Sequence, residues 1–204
     1  MLITKQNIKD LSQFTLNIED RIINPHIEDA QEYDLRPTIG DQMIDKLIAD
    51  FDGGLVAWDI STNYLIGQFV VYNKTVYKAI VNNVGLAPDT NPLDWSLNEL
   101  GTFQNKYLRP YLVFSTYRRF LLWAGRNVTQ YGLRDMREDT SDPVSDESRA
   151  ALISDMKIKS QIWENRFKNY LCEVNWTFDG VNYTIDCDVY KQSTHQVFKI
   201  RPLN

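Results

Sequence analysis

The residues best able to do chemistry are few and scattered. The chain has two cysteines, Cys172 and Cys187, and two histidines, His26 and His195. Their spacing matches no zinc motif, and there is no phosphate-cradling glycine loop, HExxH helix or GxSxG elbow. Glu28, Asp29, Glu32 and Asp34 crowd one helical segment beside His26. They could form a carboxylate set for acid–base work, but the expected role is a solvated helix face. Arg118, Arg119 and Arg126 flank an apolar helical stripe and could meet phosphate or an acidic partner; a charged helix edge is the expectation. No acid–base pair or activated nucleophile emerges, so the expectation is a protein with no catalysis, metal or cofactor.

Composition narrows the class. At 204 residues the chain can bury one good core, or a modest core and a small satellite. The net charge of −5 gives no global attraction to nucleic acid. No apolar run approaches the roughly 20 residues of a membrane span. The segment MLITKQNIKDL lacks the basic region and apolar stretch of a signal peptide, which makes intracellular synthesis the default expectation. The 5 Trp, 11 Tyr and 9 Phe are many for this length. Most belong in a core, and some are available to anchor an interface.

The elements that must position these residues follow from periodicity. Thr4 is a plausible N-cap for a short segment carrying Ile8, Leu11, Phe14 and Leu16. Ile18, Ile22, Ile23, Ile27, Ala30 and Tyr33 recur at helical spacing, with Pro25 expected to kink or split the helix. The stretch from Leu35 to Gly40 reads as a break. Met43, Ile44, Leu47, Ile48 and Phe51 share one face of a further helix, stopped by Asp52-Gly53-Gly54. Pro110 suits the first turn of a helix over about 109–130. Residues 132–148 are polar and turn-rich, a flexible loop by composition. Asp142 before Pro143 looks like the cap of a helix over about 143–169.

Near the C-terminus, LCEVNWTF and VNYTIDCDV flank Asp179-Gly180, a strong two-residue turn signal. That turn sets Phe178 opposite Val181, Trp176 opposite Tyr183, Val174 opposite Ile185 and Cys172 opposite Cys187, all on one face. A Cys172–Cys187 disulfide is geometrically conceivable; two buried thiols are the expectation, given the apolar face and the intracellular default. A further strand, Gln196 to Ile200, would leave an edge open to another chain.

Between the helices, residues 58–95 read as β structure. Phe69 to Tyr72 and Thr75 to Val81 are strands joined by an Asn73-Lys74 turn, and Gly85, Pro88, Asp89, Asn91 and Pro92 mark a loop. The order Trp58, Tyr64-x-x-Gly67, Val70 to Tyr72, Tyr77-x-Ala79, Gly85, Pro88 and Trp95 resembles the small chitin-binding type of carbohydrate-binding module. That resemblance makes Trp58, Tyr64, Tyr77 and Trp95 the candidate sugar-stacking residues. The family often carries a tryptophan pair after Tyr-x-Ala; here Ile80, Val81, Asn82 and Asn83 stand there instead. The expected role of the aromatics therefore shifts toward the module's own core.

The remainder resembles the head–tail connector (adaptor) proteins of tailed bacteriophages, including the crAss-like group. The resemblance rests on short N-terminal helices carrying LRPTIGDQMIDKLI, two longer helices, and a terminal β element. It implies an α+β fold: a helical domain of residues 1–54 and 99–204 with a C-terminal β-hairpin, and an inserted β module of residues 55–98. It also implies a virion structural protein, assembled in the host cytoplasm. Its subunits would form a homo-oligomeric ring of about twelve below the portal, with tail or other adaptor proteins beyond. Phage DNA would pass through without sequence-specific binding, and no membrane is involved. The alternative from the module is a carbohydrate-binding accessory or adhesion protein.

Overall fold

The computed structural model describes residues 1–12, 18–127, 134–137, 140–143, 145–183 and 187. The fold is α+β, as expected, with a C-terminal two-stranded antiparallel ladder. Helices α1 (Lys5–Ser12), α2 (Asp20–Asp29), α3 (Arg36–Ile39) and α4 (Asp41–Phe51) come first. Thr4 caps α1: its Oγ1 accepts from the Asn7 amide at 3.4 Å, and Asn7 Oδ1 accepts from the Thr4 amide at 3.0 Å.

The N-terminal half is more continuously helical than its prolines suggest. Helix α2 runs through Pro25, so the expected split is absent. Only the bond to the Arg21 carbonyl is given up, while Ile23, His26 and Ile27 stay buried around it. The expected break at 35–40 is also displaced. A wide π-helical run, Ala30–Leu35, passes directly into α3, and the chain breaks only at Gly40, where φ is +80°. Pro37 lacks an N–H for the Tyr33 carbonyl and its ring crowds it; widening that turn relieves the clash. Arg36 then ties the segment down, bonding Glu32 at 2.6 and 3.0 Å, Asp41 at 3.1 Å and Asp45 at 3.0 Å.

The β module comprises β1 (Val56–Ala57), β2 (Asn63–Tyr64), β3 (Phe69–Tyr72), β4 (Thr75–Ala79), β5 (Asn83–Val84) and β6 (Trp95–Leu97). Its main sheet has the order β1-β3-β4-β6, parallel only between β1 and β3; β2 and β5 form a separate antiparallel ladder. Asn73 and Lys74 both take positive φ, and Tyr72 pairs with Thr75, so the two-residue turn sets the expected register.

The following helix begins earlier than Pro110. Helix α5 (Glu99–Phe103) leads through a second π-helical run, Gln104–Leu108, into α6 (Arg109–Asn127). Asn98 caps α5 by accepting from the Gly101 amide at 2.6 Å. The expected loop at 132–148 contains a ladder of β7 (Arg134–Arg137) with β8 (Thr140–Pro143). Asp142 and Pro143 therefore belong to a strand, not to a helix start. The next helix, α7 (Asp146–Glu173), is capped by Ser145, which accepts from the Ser148 amide at 3.1 Å.

Helix α7 also extends further than expected and absorbs Leu171 to Glu173, which hydrophobic alternation had placed in a strand. The hairpin is consequently shorter, β9 (Thr177–Phe178) with β10 (Val181–Asn182), yet it keeps the expected register. The Tyr183 amide bonds the Trp176 carbonyl at 2.7 Å, continuing it. Trp176, Phe178 and Tyr183 are buried as expected, whereas Val181 is exposed. Cys172 and Cys187 form a disulfide, not two thiols, joining the last turn of α7 to the chain beyond the hairpin. The partner of Val174, Ile185, and the strand proposed at 196–200 with His195 lie outside the described residues, as do Phe14 and Leu16.

Helix α6 is the centre of the main core and packs on α7, α2 and α1. The N-terminal segment threads between the two π-helical runs. Leu2 and Ile3 are fully buried. Gln31 Oε1 accepts from the Leu2 amide at 2.6 Å, and Gln104 Nε2 donates to the Leu2 carbonyl at 2.7 Å. Each glutamine opens the same sequence pattern, Gln-x-x-x-Leu-Arg-Pro: Gln31 with Leu35, Arg36 and Pro37, and Gln104 with Leu108, Arg109 and Pro110. In both runs the arginine bonds the residue four before it, Glu32 or Asn105.

Because both side chains satisfy one buried backbone unit, their contributions are coupled. Gln31→Leu and Gln104→Leu should each cost about 1–3 kcal/mol of unfolding free energy. In urea titrations the double variant should lose less than the two single losses combined. Strictly additive losses would contradict the shared clamp.

Candidate functional site

The β module carries the residues that the sequence singles out. Trp58, Tyr64, Tyr77 and Trp95 do come together, but around the interior of the module and not on an open platform. Tyr64 and Trp95 are only 4% and 2% exposed and meet edge-on at 5.3 Å. Tyr64 is fixed through its hydroxyl, which accepts from the Asp59 amide at 2.6 Å, and Trp95 Nε1 donates to the Leu86 carbonyl at 2.9 Å. Val70 and Ala79 complete this small core, and Trp58 and Tyr77 pack against it half-buried. Trp58 also meets Tyr72 edge-on at 5.3 Å. Buried and edge-on to each other, Tyr64 and Trp95 present no open ring face to a sugar.

One part of the module's surface is instead aliphatic. Ile60, Leu65, Ile66, Ile80, Val81 and Val84 are all exposed. They sit on two strips, 60–66 and 80–86, held side by side by the β2–β5 ladder. No aspartate, glutamate, lysine or arginine occurs in either strip. That uncharged stretch was readable in the sequence; its outward direction was not, because a run such as Ile80-Val81 resembles a core strand.

A cleft of about 410 Å³ lies where the module meets α4. Thr62, Asn63, Tyr64 and Gln68 line it from the module, Asp50 and Phe51 from the helix, and Asp52 from just beyond the helix end. Asp50 is paired with Lys46 at 2.6 Å. The seam below it is tight. Phe51 and Phe69 meet edge-on at 5.0 Å, Val76 is fully buried and its amide donates to Thr102 Oγ1 at 2.9 Å. Asn98 Nδ2 reaches Asp179 Oδ2 at 2.8 Å, tying the module's exit to the C-terminal hairpin.

Several of the other chemistry candidates are occupied in structural ties. Asp34 leaves the acidic set to grip Arg119 at 2.6 and 2.8 Å, and it also accepts from the Ser115 hydroxyl. Arg119 lies 5.6 Å over the Tyr33 ring. It is thus a bridge between α6 and the first π-helical run, not a free helix edge. Arg118 is half-buried, and the Arg126 side chain lies outside the described residues. Glu32 is bound to Arg36. His26 is buried against Phe120 and Trp123, at 5.9 and 5.5 Å between ring centres, and burial holds its pKa below the ordinary imidazole value. Among the described residues, no group of three or more His, Cys, Asp or Glu is placed to hold a metal ion. Among them, too, no helix is long and apolar enough to cross a membrane.

The fold and site together define an α+β protein whose small β module is keyed onto a helical body. Residues 66–191 match the model of a family of unknown function, DUF6712. The match spans more than half of the chain, and the chain belongs to that family. It starts inside the module, just before β3, and continues through α7 and the disulfide. No curated protein and no solved structure matches the chain.

The seam depends on Gly101. A Cβ there would lie 2.6 Å from Val76 Cγ1, 2.8 Å from Asn98 Oδ1 and 3.0 Å from Phe51 Cζ. Although alanine favours a helix, Gly101→Ala should therefore destabilise the protein by about 1–3 kcal/mol, measured by chemical denaturation. A neutral or stabilising result would show that the module does not sit this close to α5.

Proposed function

We propose that this protein is a structural component of a phage virion. It forms a ring at the head–tail interface, joins the portal to the tail and continues the DNA channel. One observation carries the proposal. The module buries Tyr64 and Trp95, keeps Trp58 and Tyr77 half-buried against them, and presents an uncharged aliphatic strip outward, a surface suited to protein neighbours more than to sugar rings or phosphate. The tight seam at Gly101 and the Asn98–Asp179 bond hold that surface in a fixed orientation on the helical body. An assembly built from repeated subunits needs such fixed contact surfaces if its interfaces are to close. The resemblance of the element order to connector proteins supplies the class, and a net charge of −5 is compatible with DNA that must slide past.

The cleft beside Tyr64 favours a second proposal, a glycan contact. Its polar lining from Thr62, Asn63 and Gln68 could bond sugar hydroxyls, although Tyr64 offers little face for stacking.

The solution mass of the purified protein, alone and mixed with a portal ring, separates the two. The connector proposal expects a closed ring by light scattering and electron microscopy, alone or on the portal. A protein that neither forms nor joins a ring, and that binds glycans until Asn63 or Gln68 is changed to alanine, would overturn it in favour of the second.

A further inference from the structure

We propose that the Cys172–Cys187 disulfide is a redox latch on the seat of the β module. Closed, it holds the C-terminal hairpin firmly against α5 and the module's exit; opened by a dithiol, it loosens that seat. The bond joins the last turn of α7 to the chain beyond the hairpin, across a separation of 15 residues. The hairpin between is short: two residue pairs in β9 and β10, and one further backbone bond from Tyr183 to Trp176. A two-stranded ribbon of that length is marginal by itself, so what holds its ends decides how firmly it sits. Its leading end is continuous with α7, where the Trp176 amide bonds the Leu171 carbonyl at 3.0 Å. Its trailing end is held at Cys187. Trp176, Phe178 and Tyr183 are buried, and Phe178 lies 5.2 Å from Phe103 of α5. The hairpin therefore stays on the body when the bond opens, and only its firmness changes.

Asn98 carries that change to the module. It is buried where the module, α5 and the hairpin meet. Its Nδ2 donates to Asp179 Oδ2 in the hairpin turn at 2.8 Å, and its Oδ1 accepts from the Gly101 amide at 2.6 Å. Its own backbone amide donates to the Val76 carbonyl at 2.9 Å. The Val76 amide donates to Thr102 Oγ1 at 2.9 Å, and Thr102 Oγ1 donates to the Asn98 carbonyl at 2.8 Å. A buried side-chain amide is fixed by partners at both ends, so a weakened bond to Asp179 loosens the α5 cap and β4 together. Both cysteines are half-buried, within reach of a small reductant. One thiolate of the dithiol attacks a cysteine sulfur and releases the other cysteine as a thiolate. The second thiol then displaces the first cysteine, and the reductant leaves as a cyclic disulfide. Two electrons and two protons pass to Cys172 and Cys187, which end as thiols.

The test compares amide NMR spectra and melting curves of the full chain, oxidised and after dithiothreitol, with thiol alkylation reporting the state of the bond. Reduction should shift the amide signals of Val76, Gly101 and Thr102, while those of Ile23 and Ile27 in α2 stay in place. The melting temperature should fall by about 6–12 °C. Cys172→Ser combined with Cys187→Ser should give the reduced pattern without reductant; if that variant does not fold, reduction of the wild type decides. Asn98→Ser keeps a capping oxygen for the Gly101 amide and removes the donor to Asp179. In that variant reduction should no longer shift Val76 and Gly101. A bond that dithiothreitol does not open in the folded protein overturns the latch. Shifts confined to the hairpin and the two cysteines overturn it even if the melting temperature falls, since the bond would then only staple the chain. A response at Val76 and Gly101 that survives Asn98→Ser overturns it as well.

Discussion

The structure depends on how the two backbone polar groups of one buried residue are satisfied. Leu2 lies wholly inside the protein with its amide and carbonyl away from water. A buried backbone polar group without a partner costs as much as a lost hydrogen bond or more. Neither helix nor sheet supplies partners for Leu2. Two glutamine side chains do, one from each π-helical run. The N-terminal segment can be buried only if the run before α3 and the run before α6 stand on either side of it. That places α2 against α6 and α4 against α5, whose close-packed Gly101 lies beneath the module.

The same Leu-Arg-Pro ending explains the two wide turns. Each proline withdraws a donor and crowds the carbonyl four residues back, and in both runs the helix widens rather than breaks. The widening coincides with a buried glutamine in the first two residues of each run. Arg119 and Asp34 add a charged tie between the first run and α6. Its atoms are partly exposed, so it fixes geometry more than it adds stability. The helical body is held by backbone satisfaction and aromatic packing, such as Tyr107 on Tyr170 at 4.6 Å and Tyr111 on Phe167 at 5.2 Å.

Local signals were legible where local chemistry decides. The Asn73-Lys74 and Asp179-Gly180 turns set their registers, and Asp52-Gly53-Gly54 ended α4. The sequence misled where tertiary packing outweighed propensity. Pro25, Pro37 and Pro110 looked like boundaries, but burial on both sides keeps those helices running. Leu171 to Glu173 alternate like a strand, yet they continue α7, where Leu171 is buried. The four module aromatics stood out by type; only the fold shows that Tyr64 and Trp95 are buried and that Trp58 and Tyr77 pack half-buried against them. The aliphatic strip was hidden for the converse reason, since isoleucine and valine normally signal a core. The paired glutamines escaped because nothing local marks a glutamine as buried; the repeated Gln-x-x-x-Leu-Arg-Pro was the available sign.

A rigid body that carries an outward apolar surface makes physical sense only if the N-terminal segment is locked in place. Native-state hydrogen exchange at the Leu2 amide tests this most directly. Protection matching that of core amides in α6, such as Leu112 and Val113, is the expected result: the amide should open only with global unfolding. Exchange at the rate of a frayed terminal segment would contradict it, and with it the proposal that the two glutamines hold the helical body together.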